Sequence, residues 1–484
     1  MHHELTKKTR NIILFNACLA TFMATLDGSI VNIALPVFSK YFAVNINSVQ
    51  WVVTAYLITI SCILLIWGKL SDLYGRKYLF AAGIGIFTLG SLFCGLSVSF
   101  HMLVAARVIQ AVGASITMAL VQGIVTSIFP SNERGKAMGT IATVVSIGSL
   151  AGPSLGGLLV HAFGWRSIFF INVPVGIAGV ILTLIVMIEP QIKAEKRAFD
   201  LLGALLFALT VLIVFISLLS KQDGIISTQI MILLIGLSCI IFTMFIFYER
   251  KQTHPFLEIE IFKDRNFSIG LLTSYISFLA MFAYIFLMPF YLQFVLDLDI
   301  LTAGIIMSVY PIVTGILAPI SGSLSDKITH RPLTMAGLTI IVVALTLLSD
   351  LTDQSQIGLV VFLVALLGIG NAIFQSPNTS SVMGAVTRDK LGVAGSVAAF
   401  FRNFGMVSGT TLSVLLFTFI TKMGINDISG GTFNKMLFLK GYHVVLLSAA
   451  GICLIAVVLT WVRNRNHRQE EKRFKDSDNE NLIL

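Results

Sequence analysis

The sequence predicts an all-α integral membrane protein with fourteen transmembrane helices, built as two six-helix halves with a helix pair inserted between them. Three observations carry this reading. Hydrophobic residues make up 56% of the 484 and charged residues only 12%, about half the roughly one-quarter charge that a water-soluble fold carries on its surface. The charges gather in short clusters between apolar runs of about 20 residues, the length that crosses roughly 30 Å of hydrocarbon at about 1.5 Å per residue. Finally, pieces of the first part of the chain recur in the second at a nearly constant offset, the mark of internal duplication.

The apolar runs fall near 11–37, 48–68, 78–99, 102–128, 137–162, 168–188, 201–219, 229–248, 267–292, 302–323, 333–349, 356–376, 393–420 and 441–462. The first is too long for a cleavable leader and has no small-residue cleavage site, so it is expected to stay as a helix. The 33 Lys and Arg residues follow the alternation of the connections: 25 lie on one side, six on the other, and two, Arg107 and Arg402, lie inside apolar runs. Such a bias places both termini in the cytoplasm of a multi-pass cell-membrane protein. It also turns the net charge of +9 into a topological signal and rules out a nucleic-acid partner. The five cysteines have no metal-ligand spacing and read as packing residues. His2 and His3 read as a solvated terminus.

The repeat is specific. Gly68-Lys69-Leu70-Ser71-Asp72 closes the second run and Gly322-Ser323-Leu324-Ser325-Asp326 the tenth, 254 residues on. Gly135, Gly148 and Gly152 are matched by Gly392, Gly405 and Gly409, each 257 residues on. The organisation expected is a six-helix bundle over 1–190, an inserted helix pair with its linkers over 191–264, and a second bundle over 265–463. Residues 464–484, which mix acidic and basic side chains with almost nothing apolar, are expected to form a disordered cytoplasmic tail.

Enzyme chemistry finds no footing: there is no His-Glu-x-x-His, no Gly-x-Ser-x-Gly at a strand-to-helix turn and no phosphate-binding loop. Without a phosphate loop the energy has to come from a gradient, so no cofactor is expected. A channel would not need two related halves with matching loops. The polar residues stranded in oil are therefore the informative ones. Asp27, in Leu26-Asp27-Gly28-Ser29-Ile30-Val31-Asn32, costs at least a few kcal/mol if charged and unpaired, so it either meets a cation or takes a proton. Arg107, in Arg107-Val108-Ile109-Gln110-Ala111-Val112-Gly113, keeps its charge. Gly68 and Gly75 allow a tight turn, and Asp72 lies near Arg76 and Lys77, close enough for a bond that locks one conformation. Gly148, Gly152 and Gly156 form a smooth stripe for a facing helix, with Gly157 beside it, and Pro153 can kink the helix. Trp51 and Trp165 stand where aromatic residues anchor at an interface.

Over nearly its whole length, through these motifs, the chain resembles the fourteen-helix drug:proton antiporter branch of the major facilitator superfamily. The resemblance implies a monomeric, proton-coupled exporter of lipophilic small molecules such as drugs and antibiotics, working by alternating access in the lipid bilayer. It implies that Arg107 lies near Asp27 and favours its carboxylate, and that the glycine motif of the fifth helix marks an exporter. A broad apolar cavity is expected, with Asn32, Tyr56, Gln122, Met281, Tyr284, Met307, Tyr310, Asn371, Gln375, Arg402 and Asn403 as candidate lining. Export of one endogenous metabolite or lipid, or uptake of a nutrient, remains open on the same fold. With no second acid deep in the later half, divalent cations are disfavoured as cargo.

The topology is testable directly. Epitopes at either end of the chain should be shielded from antibodies added outside intact cells, while a cysteine placed at position 224 should react with an impermeant reagent from outside. Labelling of that cysteine only from the cytoplasm would misplace the inserted pair.

Overall fold

The computed structural model describes residues 6–44, 49, 51–187, 199–222, 226–253, 255–422 and 434–462. Within them, the side chains of residues 32, 33, 36, 153, 154, 219, 300, 301 and 388 are left aside. The expected tail, position 224 and most of the first linker lie outside the described residues. Among the described residues thirteen helices are long and apolar enough to span a membrane, fourteen when one bent pair counts as a single span. In chain order they are α1 (Lys7–Phe42), α2 (Trp51–Tyr74), α3 (Lys77–Leu96), α4 (Phe100–Ile128), α5 (Ser131–Phe163), α6 (Ser167–Val186), α7 (Leu201–Gln222), α8 (Thr228–Glu249), α9 (Arg265–Phe290), α10 (Ile300–Ser325), α11 (His330–Ser349), α12 (Ile357–Gly384), α13 (Leu391–Thr421) and α14 (Lys435–Val462).

Helices satisfy every backbone group within one segment, which lets apolar runs of this length cross oil. Several helices outrun their apolar cores. α1 begins at Lys7 and α5 at Ser131, before the runs expected from residues 11 and 137, because polar side chains can continue a helix into the headgroup region. The axis of α5 turns by 43° between Gly152 and Leu155, across the position of Pro153.

Within the first six helices α1 packs on α5 and α6, α3 on α4 and α6, and α2 on α4. Within the last six α9 packs on α13 and α14, α11 on α12 and α14, and α10 on α12. The two groups meet through α5 against α10 and through α13 against α2 and α4. The inserted pair lies to one side: α7 packs on α2 and α13, and α8 packs chiefly on α7. Of the apolar window of α8 only 11% is buried, so most of that helix is left for lipid. Phe207 and Phe215 of α7 meet Phe400 and Phe404 of α13, ring centroids 5.3 and 6.0 Å apart.

The apolar interior divides unequally. On the face where α2 ends and α3 begins, which carries Lys69, Arg76, Arg134 and Lys390, one cluster runs from Ile13 through Leu65 and Leu120 to Val397 and joins both groups of helices. On the opposite face there are two clusters. One holds Ile30, Phe38 and Phe169; the other holds Tyr284, Leu345 and Tyr442. Among the described residues the bundle is thus stitched across its basic face and divided on the other.

Two smaller expectations need correcting. Cys239 is exposed on α8 instead of packed inside. Trp165 is not a lipid-facing anchor. It is buried against Phe38, Tyr41, Phe42 and Phe169, mostly edge-on, whereas Trp51 is exposed.

Candidate functional site

Asp27 and Arg107 meet, both essentially without solvent exposure. One guanidinium nitrogen of Arg107 lies 2.5 Å from Asp27 Oδ2. The other carboxylate oxygen accepts from Gln110 Nε2 at 2.8 Å and from Asn172 Nδ2 at 3.4 Å. Arg107 also donates to Val52 O at 3.0 Å and to Gln110 Oε1 at 2.6 Å. It lies 4.0 Å above the ring of Tyr56, a cation–π contact strengthened by desolvation. Gln110 is steadied by Ser91 Oγ at 2.8 Å. Five helices, α1, α2, α3, α4 and α6, therefore converge on one carboxylate.

This arrangement allows a specific chemistry. With Asp27 ionised the pair is neutral as a unit. If Asp27 takes a proton, Arg107 still has a backbone carbonyl, an amide oxygen and an aromatic face. Those stand-ins lessen the penalty for an unpaired buried cation, which otherwise runs to about 3–5 kcal/mol. Tyr56, expected in a substrate cavity, is instead placed beneath the arginine. Gln110, in the Arg107 segment, and Asn172 are not among the sequence candidates. Their signal was an amide in an apolar helix, each able to donate to a buried acid. Asn32 lies on α1, its side chain outside the described residues.

The basic face holds two matching contacts. Asp72 accepts from the backbone N–H of Gly392 at 2.8 Å and of Val393 at 2.9 Å, in the first turn of α13. Arg76 donates to Asp72 at 3.0 Å, as the spacing suggests. Asp326 accepts from Gly135 N at 2.7 Å and Lys136 N at 3.0 Å, near the start of α5. Acid at a helix N-terminus is favourable because free amides and the helix dipole point there. Burial pushes the Asp326 carboxyl above its usual range, against the pull of the two amides. Backbones touch beside each acid: a Cβ on Gly68 would fall 2.6 Å from Gly392 O, and one on Gly135 would strike Gly322 O. Gly75 takes φ 92°, a conformation open to glycine, and lets α3 turn back; Lys77 begins that helix. Glu258, in the connector before α9, adds a bridge to Lys69 at 3.7 Å and Lys390 at 2.5 Å.

The glycine stripe of α5 faces α1, the helix of Asp27. A Cβ at Gly152 would collide with Ser29 Oγ, lie 2.5 Å from Ser29 Cβ and approach Ile30 N to 3.0 Å. Gly148 faces Thr25 and Gly156 faces Ile30 Cγ1 at 2.7 Å, whereas Gly157 points into open space. The remaining candidates divide. Gln122, Gln375 and Arg402 line one crevice with Ser274 and Asn378. Met281 and Tyr284 are buried on the far face, where Tyr310 packs near Tyr284 and Asn371 is buried on α12. Met307 packs on that same cluster, and Asn403 is half-buried on α13. Among the described residues no group of His, Cys, Asp and Glu could hold a metal.

The model of the Major Facilitator Superfamily matches residues 17–410 and 271–484. This chain belongs to the major facilitator superfamily. Among its relatives, the riboflavin transporter RibZ of Clostridioides difficile (strain 630) is 35% identical over 94% of this chain and 97% of that protein. The multidrug resistance protein Stp of Mycobacterium tuberculosis (strain CDC 1551 / Oshkosh) is 32% identical over 83% of this chain and 75% of its own length. Among solved structures, the human organic anion transporter MFSD10 superposes with a TM-score of 0.66 at 14% identity, covering 93% of this chain and 99% of that one. The proton:xylose symporter XylE gives 0.63 at 14%, covering 95% and 97%. At that identity these two speak for the fold alone. A major facilitator protein is a transporter and not an enzyme, so what the geometry above has to account for is movement between two states.

Two predictions follow from the contacts. Gly152→Ala should cripple transport because Ser29 Cβ and Ile30 N, 2.5 and 3.0 Å from the added Cβ, are fixed to a helix. Adding Ser29→Gly should recover part of it, and transport unchanged in Gly152→Ala would refute the close approach. Asp72→Asn and Asp326→Asn should each loosen the basic face by about 1.5 kcal/mol, the low end for a charge-assisted hydrogen bond. That is roughly a tenfold gain in reactivity of a cysteine placed at Gly395, measured from the basic side; equal reactivity in wild type and both variants would mean the acids hold nothing.

Proposed function

We propose that this transporter carries one flat, polar-edged aromatic metabolite of the riboflavin kind, and that protons drive it through Asp27. The observation that carries the coupling is the Asp27–Arg107 pair with its stand-in partners, a carboxylate that can change charge while the site stays satisfied. The choice of cargo draws support from the riboflavin transporter, matched over 97% of its length at 35% identity, against 75% and 32% for the multidrug relative. In this reading the basic face is cytoplasmic, the protein sits in the cell membrane with both termini inside, and it works as a monomer. The divided face is then the outer one, so the structure corresponds to an outward-facing state.

A second reading, export of varied lipophilic drugs by proton exchange, draws on the glycine stripe packed along α1 and on the relatives named for multidrug resistance. One experiment separates the two. Purified protein in sealed vesicles is given a proton gradient of either sign, and riboflavin and a panel of lipophilic drugs are followed across the membrane. Gradient-dependent movement of riboflavin supports the first reading, and the effective sign tells symport from antiport. Movement of the drug panel without riboflavin supports the second. In either case Asp27→Asn should insert normally and lose gradient dependence at least about tenfold, the equivalent of 1.4 kcal/mol in the coupling equilibrium. Wild-type coupling in that variant would place the proton elsewhere.

A further inference from the structure

We infer that Arg402 makes the crevice between α4, α9, α12 and α13 a binding site for non-cationic cargo. The cargo presents an anionic or carbonyl oxygen next to an N–H or O–H donor. The inference rests on the transporter reading above and narrows its substrate class.

Arg402 stands in the middle of α13 and lines the crevice together with Gln122 of α4, Ser274 of α9 and Gln375 of α12. The side chains come from both groups of helices, so a ligand there touches the parts that must move. Among the described residues Arg402 has no hydrogen-bond or ion-pair partner, in contrast to Arg107, which meets an acid, an amide, a carbonyl and a ring. A guanidinium does not shed its proton, and the half-buried Arg402 keeps a charge open to an incoming oxygen acceptor. The same crevice holds two unmet acceptors: Gln122 Oε1 and Gln375 Oε1 are buried without a hydrogen-bond partner. The neighbouring amide is already committed, Asn378 Nδ2 donating to Gly270 O at 2.9 Å.

The inventory defines the ligand. Guanidinium offers only donors, so it calls for an oxygen with negative or strongly dipolar character, which it can grip with two parallel bonds. The two glutamine oxygens accept only, so they call for N–H or O–H groups. A cationic ligand would face a like charge in a site with few waters to screen it. In this state the crevice admits no more than about one water molecule, so cargo enters when the helices part and the crevice tightens behind it.

The test is equilibrium binding to purified protein in lipid nanodiscs, with three probes. Fluorescein dianion offers oxygens without donors, riboflavin offers ring carbonyls beside N–H, and tetraphenylphosphonium is a lipophilic cation. Wild type should bind the first two and reject the third. Arg402→Gln should weaken fluorescein and riboflavin by at least about tenfold, as expected for one lost charge-assisted bond, and should admit the cation. Arg402→Lys keeps the charge and should still exclude the cation. Gln375→Leu leaves the charge in place; it should weaken riboflavin and spare fluorescein, and it carries the test if Arg402→Gln fails to insert. Fluorescein binding that survives Arg402→Gln unchanged overturns the inference, as does a wild type that prefers tetraphenylphosphonium. Vesicles that move no riboflavin while fluorescein binding still depends on Arg402 would remove the proposed cargo and leave this site standing.

Discussion

A carboxylate cannot sit bare in hydrocarbon, and the first six helices are arranged around satisfying Asp27. The cost of an isolated buried ion is several kcal/mol even after relaxation, which exceeds what any single packing contact returns. The chain meets it with Arg107, Gln110 and Asn172 at the two carboxylate oxygens, and with Val52 O and the Tyr56 ring at the arginine. Each of those groups constrains the helix that carries it, so α2, α4 and α6 are held in register with α1 by one charge, and Ser91 brings α3 to Gln110. The stripe of glycines on α5 then closes on the same helix from the other side. A mobile α1 would expose the ion, and a bulky α5 would displace α1.

The two groups of helices are joined by a different device. Glycine pairs Gly68 with Gly392 and Gly135 with Gly322 bring backbones together on the basic face, close enough for Asp72 and Asp326 to reach amides on the opposite helix. Asp72 and Asp326 are 254 residues apart, Gly135 and Gly392 257, and each acid of one set meets the glycine of the other. α7 braces this junction by packing on both α2 and α13, and Glu258 spans Lys69 and Lys390 across it.

Much of this was legible because membrane solvent imposes simple rules. Length and hydropathy locate the spans, and an acid or arginine in oil announces itself, which is why Asp27 and Arg107 stood out. The ends of α1 and α5 were less legible, since a helix continues through polar residues once its core is anchored. Partners were the harder part. The i,i+4 spacing shows Arg76 beside Asp72, but nothing local says that the same acid also binds an amide 320 residues away. Gln110 and Asn172 look like ordinary amides until the fold brings them to one carboxylate. The candidate cavity residues shared only polarity or adaptability, which does not tell a lining residue from a packed one. Hence Met281 and Tyr284 are found buried on the far face, while Gln122, Gln375 and Arg402 meet in one crevice.

The carboxylates differ in what can release them. Asp72 and Asp326 lie at the edge of the bundle, where water can replace an amide as it leaves. A charge-assisted bond worth about 1.5–3 kcal/mol in place therefore costs less than that to break, and two such contacts can open together without stranding a charge. Asp27, fully buried, has no solvent-exposed edge from which such a replacement could come. Separating it from Arg107 by movement alone would leave two bare ions; in the proposed function a proton frees the acid, with Gln110, Val52 and Tyr56 retaining the arginine. Arg402 lacks retaining partners of that kind among the described residues. The two arginines thus differ in their surroundings: Arg107 is satisfied by the protein, and on the inference drawn above Arg402 is left to be satisfied by a ligand.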